Sequence, residues 1–370
     1  MRKKGPDEPT PPLVMGTGLV ALDVVVTADD PAPPKLWAGG TCGNVLLALR
    51  YLGFDSAPVC RLRDDPAAAL IIDEFRAWGV LTEYVSTGGD GSTPVIVETI
   101  RRRPAGDPIH TFSWRCPVCG ARFPGYKSVL ASSAEVIAAK MSPPQVFFFD
   151  RLSRGSLVLA ARAAELGSLV VFEPSGVGDS AQFREAWSAS HVVKYSHERL
   201  AELPDGLEFG PNLLLQVETL GAEGLRYRAR FRKQVISPWQ TLPAVKAPSL
   251  KDTAGAGDWA TTGLLHRLGR AGATGFRNAT PEEVLAALQF GQALAAWNCA
   301  FAGARGGMYV ATAHECLEQV GGILAGRDAG TGNSSVSHQP QGIAPSWCPT
   351  CTDHQSPSVA VGGQPRRTTA

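Results

Sequence analysis

The chain has 370 residues, 44% of them apolar, with 35 lysines and arginines against 34 aspartates and glutamates. A chain this long and apolar can bury a large core, and its even charge offers no positive field to nucleic acid or an anionic membrane, so small molecules are the expected partners. The basic start from Met1 runs into prolines and acids without a signal-peptide core, no stretch approaches a membrane span, and eight cysteines are too sparse for a disulfide scaffold. The expected compartment is the cytoplasm.

In chain order, residues 1–12 read as a disordered arm, and Leu13 to Val26 as a strand-like apolar run. Gly39-Gly40 leads into a helix over Gly43 to Leu52, closed by Gly53. Strands are expected at Val95 to Ile100, Val146 to Phe149, Leu169 to Phe172 and Leu213 to Val217, with a helix at Ser156 to Leu166. Gly255 to Leu268 reads as a helix closed by Gly269. Thr280-Pro281-Glu282-Glu283 combines an N-cap threonine, proline at the first helical position and glutamate at the third, so a helix should run from there to about Phe301, with Gly303 marking its end. From about Arg327 the chain turns polar and rich in Gly, Ser, Pro, Gln and Thr. The alternation predicts an α/β body over 13–326 built on a mainly parallel sheet covered by helices, with a polar tail over 327–370.

Lys251-Asp252-Thr253-Ala254-Gly255-Ala256-Gly257-Asp258 places small residues where a loop enters a helix, so backbone N–H groups can approach an anion unobstructed. Such an anion cradle, formed by Gly255, Ala256 and Gly257, suits a phosphoryl group in transfer, and donors of this kind are worth about 10² to 10³ in rate each. Asp258, one residue further on, is placed to take a proton from an attacking alcohol. A lone G-x-G more often marks a packed helix start; the full string is what points to chemistry.

That string resembles the C-terminal signature of the ribokinase-like (PfkB-type) carbohydrate kinases, and further matches follow in family order from about Leu13 to Ala304. Gly39-Gly40-Thr41-Cys42-Gly43-Asn44 looks like the family's G-G-x-x-x-N substrate motif, and Gly18 to Asp23 like its first strand, ending in a substrate aspartate. Thr219-Leu220-Gly221-Ala222-Glu223-Gly224 is similar to the strand-turn-strand T-x-G-x-x-G that lies along the nucleotide. The resemblance implies a three-layer α/β/α sandwich with a small β-lid from about 23–45 and 95–130, binding ATP and Mg²⁺. By the same resemblance Asp23, Gly39, Gly40 and Asn44 hold the acceptor, and Thr219, Gly221, Gly224 and Gln292 the nucleotide. Glu198 lies near magnesium and its waters, Asp252 lies near a monovalent cation, and the lid is the surface for a homodimer. No G-x-x-x-x-G-K-[ST] occurs, which excludes a P-loop kinase. The sequence departs from the family pattern at Tyr195, where N-x-x-E has its asparagine, at Glu173-Pro174-Ser175 in place of D-x-N, at Gln292 and at Arg63.

Cys116-Pro117-Val118-Cys119-Gly120 has the form of a zinc knuckle inside the lid region, and Cys348-Pro349-Thr350-Cys351 lies in the tail. Together they could complete one tetrahedral Cys₄ zinc site, with His110 and His354 as substitutes or outer contacts; two separate reducible pairs are the alternative. Trp114, Arg115, Arg122, Phe123 and Trp347 surround the knuckle as a miniature core or a partner surface. Cys42, Cys60, Cys299 and Cys316 read as small buried apolar residues, and the basic runs Arg101 to Arg103 and Arg230 to Lys233 as solvated strand ends. The expected function is an ATP-dependent phosphotransferase acting on a sugar hydroxyl. A nucleoside acceptor and a non-catalytic nucleotide-binding protein on the same fold are the alternatives.

Overall fold

The structure, a computed structural model, describes residues 10–28, 32–102, 108–231, 235–327, 347–348 and 350–351. The arm up to residue 9, Arg103, Lys233, His354 and most of the tail lie outside the described residues. Among the described residues the strands are β1 (Leu13–Thr17), β2 (Ala21–Thr27), β3 (Lys35–Gly39), β4 (Asp55–Leu62), β5 (Val85–Thr87), β6 (Val95–Arg102) and β7 (Pro108–Ser113). They continue as β8 (Val146–Phe149), β9 (Leu169–Phe172), β10 (Val192–Ser196), β11 (Leu215–Thr219), β12 (Leu225–Ala229) and β13 (Gln240–Leu242). The helices are α1 (Gly40–Tyr51), α2 (Pro66–Ala77), α3 (Ala131–Lys140), α4 (Arg154–Glu165), α5 (Ser180–Ala189), α6 (Ala256–Leu268), α7 (Gly272–Arg277), α8 (Pro281–Asn298) and α9 (Ala313–Leu324).

A nine-stranded sheet runs β13-β12-β11-β10-β9-β8-β1-β4-β5, parallel from β11 to β5 and antiparallel at β12 and β13. Its central strands are apolar on both faces. In β8, Val146 and Phe148 join a cluster with α1, α6 and α8, while Phe147 and Phe149 join a second cluster with α3, α4 and α5. This is why Val146–Phe149 and Leu169–Phe172 are legible as unbroken apolar runs: a parallel strand covered on both sides has no polar face.

The smaller sheet, β3-β2-β6-β7, packs against α1 and α2. Leu13 to Val26 is therefore not one strand. The chain breaks at Gly18, and β1 and β2 belong to different sheets. The helix expected from Thr280 has its capping box, with Thr280 and Glu283 bonding reciprocally, but it ends at Asn298 because residues 299–304 turn back toward the site. Among the described residues no helix is long and apolar enough to cross a membrane.

Helices α6 and α8 cross closely where Gly263 meets Gly291, so a Cβ at Gly263 would run into the Gly291 backbone. By contrast, Gly321 on α9 faces open space. Gly263→Ala should lower unfolding free energy by ~1–3 kcal/mol through overpacking, whereas Gly321→Ala should raise it by ~0.5–1 kcal/mol through its gain in helix propensity. Guanidinium denaturation midpoints check both; equal shifts would contradict the close crossing.

Candidate active site

The loop before α6 delivers the first element of the site. Gly255 caps the helix at φ +72°, where a side chain would also strike the Ala304 carbonyl, so glycine is required there. The Ala256 N–H closes a turn onto the Thr253 carbonyl at 3.2 Å. The helix's own bonding begins with Trp259 N–H to Gly255 O, so the Gly257 and Asp258 amides are the first-turn donors the helix does not use. Of the predicted cradle, Ala256 is thus partly spent on the turn.

Asp258 accepts a hydrogen bond from Asn44 Nδ2 at 2.8 Å. Burial, reinforced by the neighbouring Glu173, pushes the Asp258 carboxyl up to about 8, against the opposing effects of Asn44, Lys194 and Arg199. Asn44 projects from α1, which starts at Gly39-Gly40; a side chain at Gly39 would occupy the space of the Asp23 carboxylate. The Asp23 carboxyl is pushed up to about 7 by burial, with Arg305 pulling the other way. The structure therefore brings Asp23, Gly39, Gly40, Asn44 and Asp258 together from three separate stretches of chain.

Sequence reasoning missed the residue that ties these groups to one another. Arg305, 2% exposed, donates from Nε to Asn44 Oδ1 at 3.0 Å, from Nη2 to the Ala38 carbonyl, and from Nη2 to Glu74 Oε1 at 3.2 Å. Glu74 on α2 also accepts from the Ala38 N–H and the Tyr309 hydroxyl. Asn44 is consequently committed on both sides, to Arg305 through its oxygen and to Asp258 through its nitrogen. The only signal for Arg305 was a lone cation among small residues.

Lys194, 4% exposed in the apolar strand β10, was also missed. It pairs with Glu173 Oε1 at 2.6 Å, and Thr261 donates to Glu173 Oε2 at 2.6 Å. Its ammonium stands 3.7 Å from where a Gly257 Cβ would be, beside the first-turn amides. Asp150, fully buried at the end of β8, is a third omission; it accepts from the Leu19 N–H at 2.9 Å and from Arg151 at 2.6 Å. Tyr195 points elsewhere: its ring is buried in the cluster with Trp187, and its hydroxyl meets Gln216 at 3.1 Å. Arg63 is exposed.

Of the residues expected to lie along a nucleotide, Gly224 and Gln292 meet the turn after β13. Gly224 adopts φ +101° against the Leu242 carbonyl, and Gln292 donates to the Pro243 carbonyl at 3.1 Å. Thr219 Oγ1 reaches the Tyr195 carbonyl at 3.4 Å. Glu198, exposed, stands 3.9 Å from where a Gly221 side chain would begin.

Asp252 is buried, accepting from the Ala254 N–H at 3.0 Å and the Gly303 N–H at 2.7 Å and facing His110 Nδ1 at 3.0 Å. Burial alone would raise its carboxyl, but the His110, Glu98 and backbone hydrogen bonds hold it below the usual range. In the lid, Cys116 Sγ lies 3.7 Å from Cys351 Sγ and Cys119 Sγ 3.7 Å from Cys348 Sγ, and all four sulfurs lie within 4.8 Å of one another. Gly120 at φ +74° curls the knuckle, and the Ala121 N–H holds the Cys119 thiol down to about 7. Phe123 is buried against Trp347, while Trp114, Arg115 and Arg122 are exposed.

No family model matches the chain. Fructokinase-2 of Solanum lycopersicum is 24% identical over 285 residues, spanning 69% of this chain and 81% of that protein. A Burkholderia thailandensis nucleoside kinase in complex with inosine superposes with a TM-score of 0.58 at 19% identity, over 85% of this chain and 99% of its own. A fructokinase with bound ATP from Xylella fastidiosa gives 0.59 at 18% identity, over 79% and 93%. The fold is that of the ribokinase-like kinases, a three-layer α/β/α sandwich with a small β-lid.

The Arg305–Glu74 pair is sealed from water, so truncating one partner strands the other. Arg305→Met should cost ~3–5 kcal/mol of stability. In the double variant Glu74→Gln/Arg305→Met the loss should fall short of the sum of the singles by ~1–3 kcal/mol. Denaturation of the four proteins completes the cycle, and strict additivity would refute the pairing.

Proposed function

We propose that this protein is an ATP-dependent kinase that transfers the γ-phosphate to a hydroxyl of a sugar or sugar-like small molecule. The observation that carries this reading is Asp258: a carboxyl with its proton affinity raised into the neutral range, on the first turn of α6, beside helix amides that nothing in the helix uses. The likeness to two fructokinases, one holding ATP, supports the choice of reaction. The likeness to a nucleoside kinase holding inosine keeps a nucleoside as the second acceptor to test.

In this reading Asp258 accepts the hydroxyl proton as the oxygen attacks the γ-phosphorus in line. Charge gathering on the equatorial oxygens meets the Gly257 and Asp258 N–H groups, the positive end of α6 and the Lys194 ammonium. Asn44 orients the base, and Asp23 binds acceptor hydroxyls beside Gly39 and Gly40. Thr219, Gly221 and Gly224 lie along the nucleotide. Gln292 shapes the adenine side through the Pro243 turn rather than as a free amide.

Magnesium arriving with ATP would neutralise phosphate charge, with the exposed Glu198 at its water shell; such an ion takes most of its ligands from phosphate and water. A monovalent cation beside Asp252 belongs to the same reading, since a buried carboxylate held in its charged form suits a nearby cation. A homodimer through the lid is the matching assembly: β7 is a sheet edge, and Phe112 and Trp114 on and beside it are 46% and 51% exposed.

For the cysteines we infer one structural zinc. A tetrahedral ZnS₄ centre with Zn–S of about 2.3 Å sets its sulfurs about 3.8 Å apart. The 3.7 Å contacts match that spacing, and they pair each knuckle cysteine with a tail cysteine, whereas a disulfide would need a separation of about 2 Å. The Phe123–Trp347 contact favours the miniature-core reading of the aromatics.

Asp258→Asn should bind ATP nearly as well as wild type while turnover falls at least ~10²-fold. The general base must be ionised, so with a carboxyl near 8 in the free protein, kcat/KM should fall tenfold per pH unit below that value and level off above it. Substrate-dependent ADP release across sugars and nucleosides, measured against pH, checks both; unchanged turnover in Asp258→Asn overturns the assignment. Cys348→Ser should lose one zinc per chain by elemental analysis and expose the lid to proteolysis. Full zinc retention would refute the four-cysteine centre.

A further inference from the structure

A second cluster of ligand-type side chains lies apart from the cysteines, at the junction of the lid with the loop before α6. Glu98 comes from β6, His110 from β7 and Asp252 from the loop, and one donor atom of each lies within 4.8 Å of the others. The lid register creates the convergence. Glu98 opposes Phe112 and Ile100 opposes His110, so Glu98 and His110 are diagonal neighbours on one face of the lid, within mutual reach of long side chains. Asp252 meets that face from below, with its Oδ1 3.0 Å from His110 Nδ1 while its Oδ2 accepts the Gly303 N–H.

Protein contacts alone leave this cluster incomplete. Glu98 is 3% exposed; its carboxyl hydrogen-bonds with Asp252, and its Oε1 has no partner. A buried carboxyl oxygen without a partner is costly, and here it sits among further carboxylates, Asp252 and Asp23, whose fields oppose any negative charge on it. Neither a water-filled pocket nor an apolar replacement serves two buried carboxyls and an imidazole as well as a cation does. Two oxygen donors and one nitrogen donor form a set that suits a first-row divalent ion.

We propose that Glu98, His110 and Asp252 form a binding site for a first-row divalent cation of the manganese or zinc class, which clasps the lid to the loop that opens α6. Glu98 Oε1, His110 Nδ1 and Asp252 Oδ1 are the ligand atoms, and water completes the shell. The site is separate from Glu198 and from the cysteines; it takes up Asp252 through Oδ1, the same carboxylate that the kinase reading sets beside a monovalent cation, and it does not depend on the protein being a kinase. Two of its ligands come from the lid and one from the loop before α6, so the ion is held only while the lid rests on the loop.

The test uses Mn²⁺ alone, added to the full chain with its cysteine centre loaded with zinc and with no nucleotide present. Electron paramagnetic resonance should count one immobilised Mn²⁺ per chain, and pulsed spectra should carry a ¹⁴N coupling from the His110 ring. His110→Ala should abolish the ¹⁴N coupling, and both His110→Ala and Glu98→Gln should weaken Mn²⁺ binding at least ~10-fold. Glu198→Ala should leave both readouts unchanged. The proposal is overturned if wild type immobilises no Mn²⁺, if binding survives both ligand substitutions, if the ¹⁴N coupling is absent or persists in His110→Ala, or if Glu198→Ala alone removes the ion. His110 is partly exposed at the lid edge, so its substitution keeps the test open even if Glu98→Gln fails to fold.

Discussion

The guanidinium of Arg305 is buried where α1, α2, β3 and the turn after α8 converge, and the arrangement of the site follows from how that charge is satisfied. Glu74 neutralises it, the Ala38 carbonyl and Asn44 Oδ1 accept from Nη2 and Nε, Met308 Sδ faces Nη1, and Tyr309 completes the shell of Glu74. A buried ion pair adds little net stability because both charges lose their water; what it enforces is geometry, since no partner can leave without stranding another. Through Asn44 this constraint reaches the Asp258 carboxylate. The rotamer of Asn44 is fixed by an arginine 261 residues away in sequence, and the position of the candidate base is fixed in turn by Asn44.

Two neighbouring carboxyls beside the start of α6 differ in their surroundings. Glu173 has a cation and a hydroxyl on its oxygens, from Lys194 and Thr261. Asp258 has only the Asn44 amide and a largely dry environment, and it feels Glu173 as a like charge, so its proton affinity rises. The departure at Glu173 therefore belongs to the electrostatics of Asp258, and the departure at Tyr195 belongs to the core.

What was legible in the sequence follows from how local the signal is. The 252–258 string, the Gly39-Gly40 turn and the Thr280 capping box are written in adjacent residues, and strands covered on both faces announce themselves as apolar runs. The break at Gly18 was hidden because β1 and β2 are apolar on either side of it, and only their membership of different sheets separates them. Arg305, Lys194 and Asp150 were hidden for the opposite reason. A single charged residue in an apolar or small-residue stretch looks like a solvent contact until its partners, here Glu74, Glu173 and Leu19, are brought in from elsewhere. The cysteine pairs were readable as pairs, while their union across more than two hundred residues was a matter of chemistry alone.

The lid makes polar or sulfur contacts to the rest of the protein at both ends of β7, and these contacts divide its tasks. Beyond the C-terminal end of β7 the knuckle is joined to the tail at Cys348 and Cys351, and Cys116, Phe123 and Cys348 belong to the same buried cluster as α1 and α8. Near the start of β7, His110 rests on Asp252, three residues before the glycine whose left-handed conformation opens α6. Asp252 is also bonded to Gly303 in the turn that carries Arg305. A displacement of β7 thus has a short covalent and hydrogen-bonded route to both the helix amides and the arginine that orients Asn44. In the kinase reading proposed above, cover and catalytic geometry would then be set together, because β7 bears on the groups proposed to act on the acceptor.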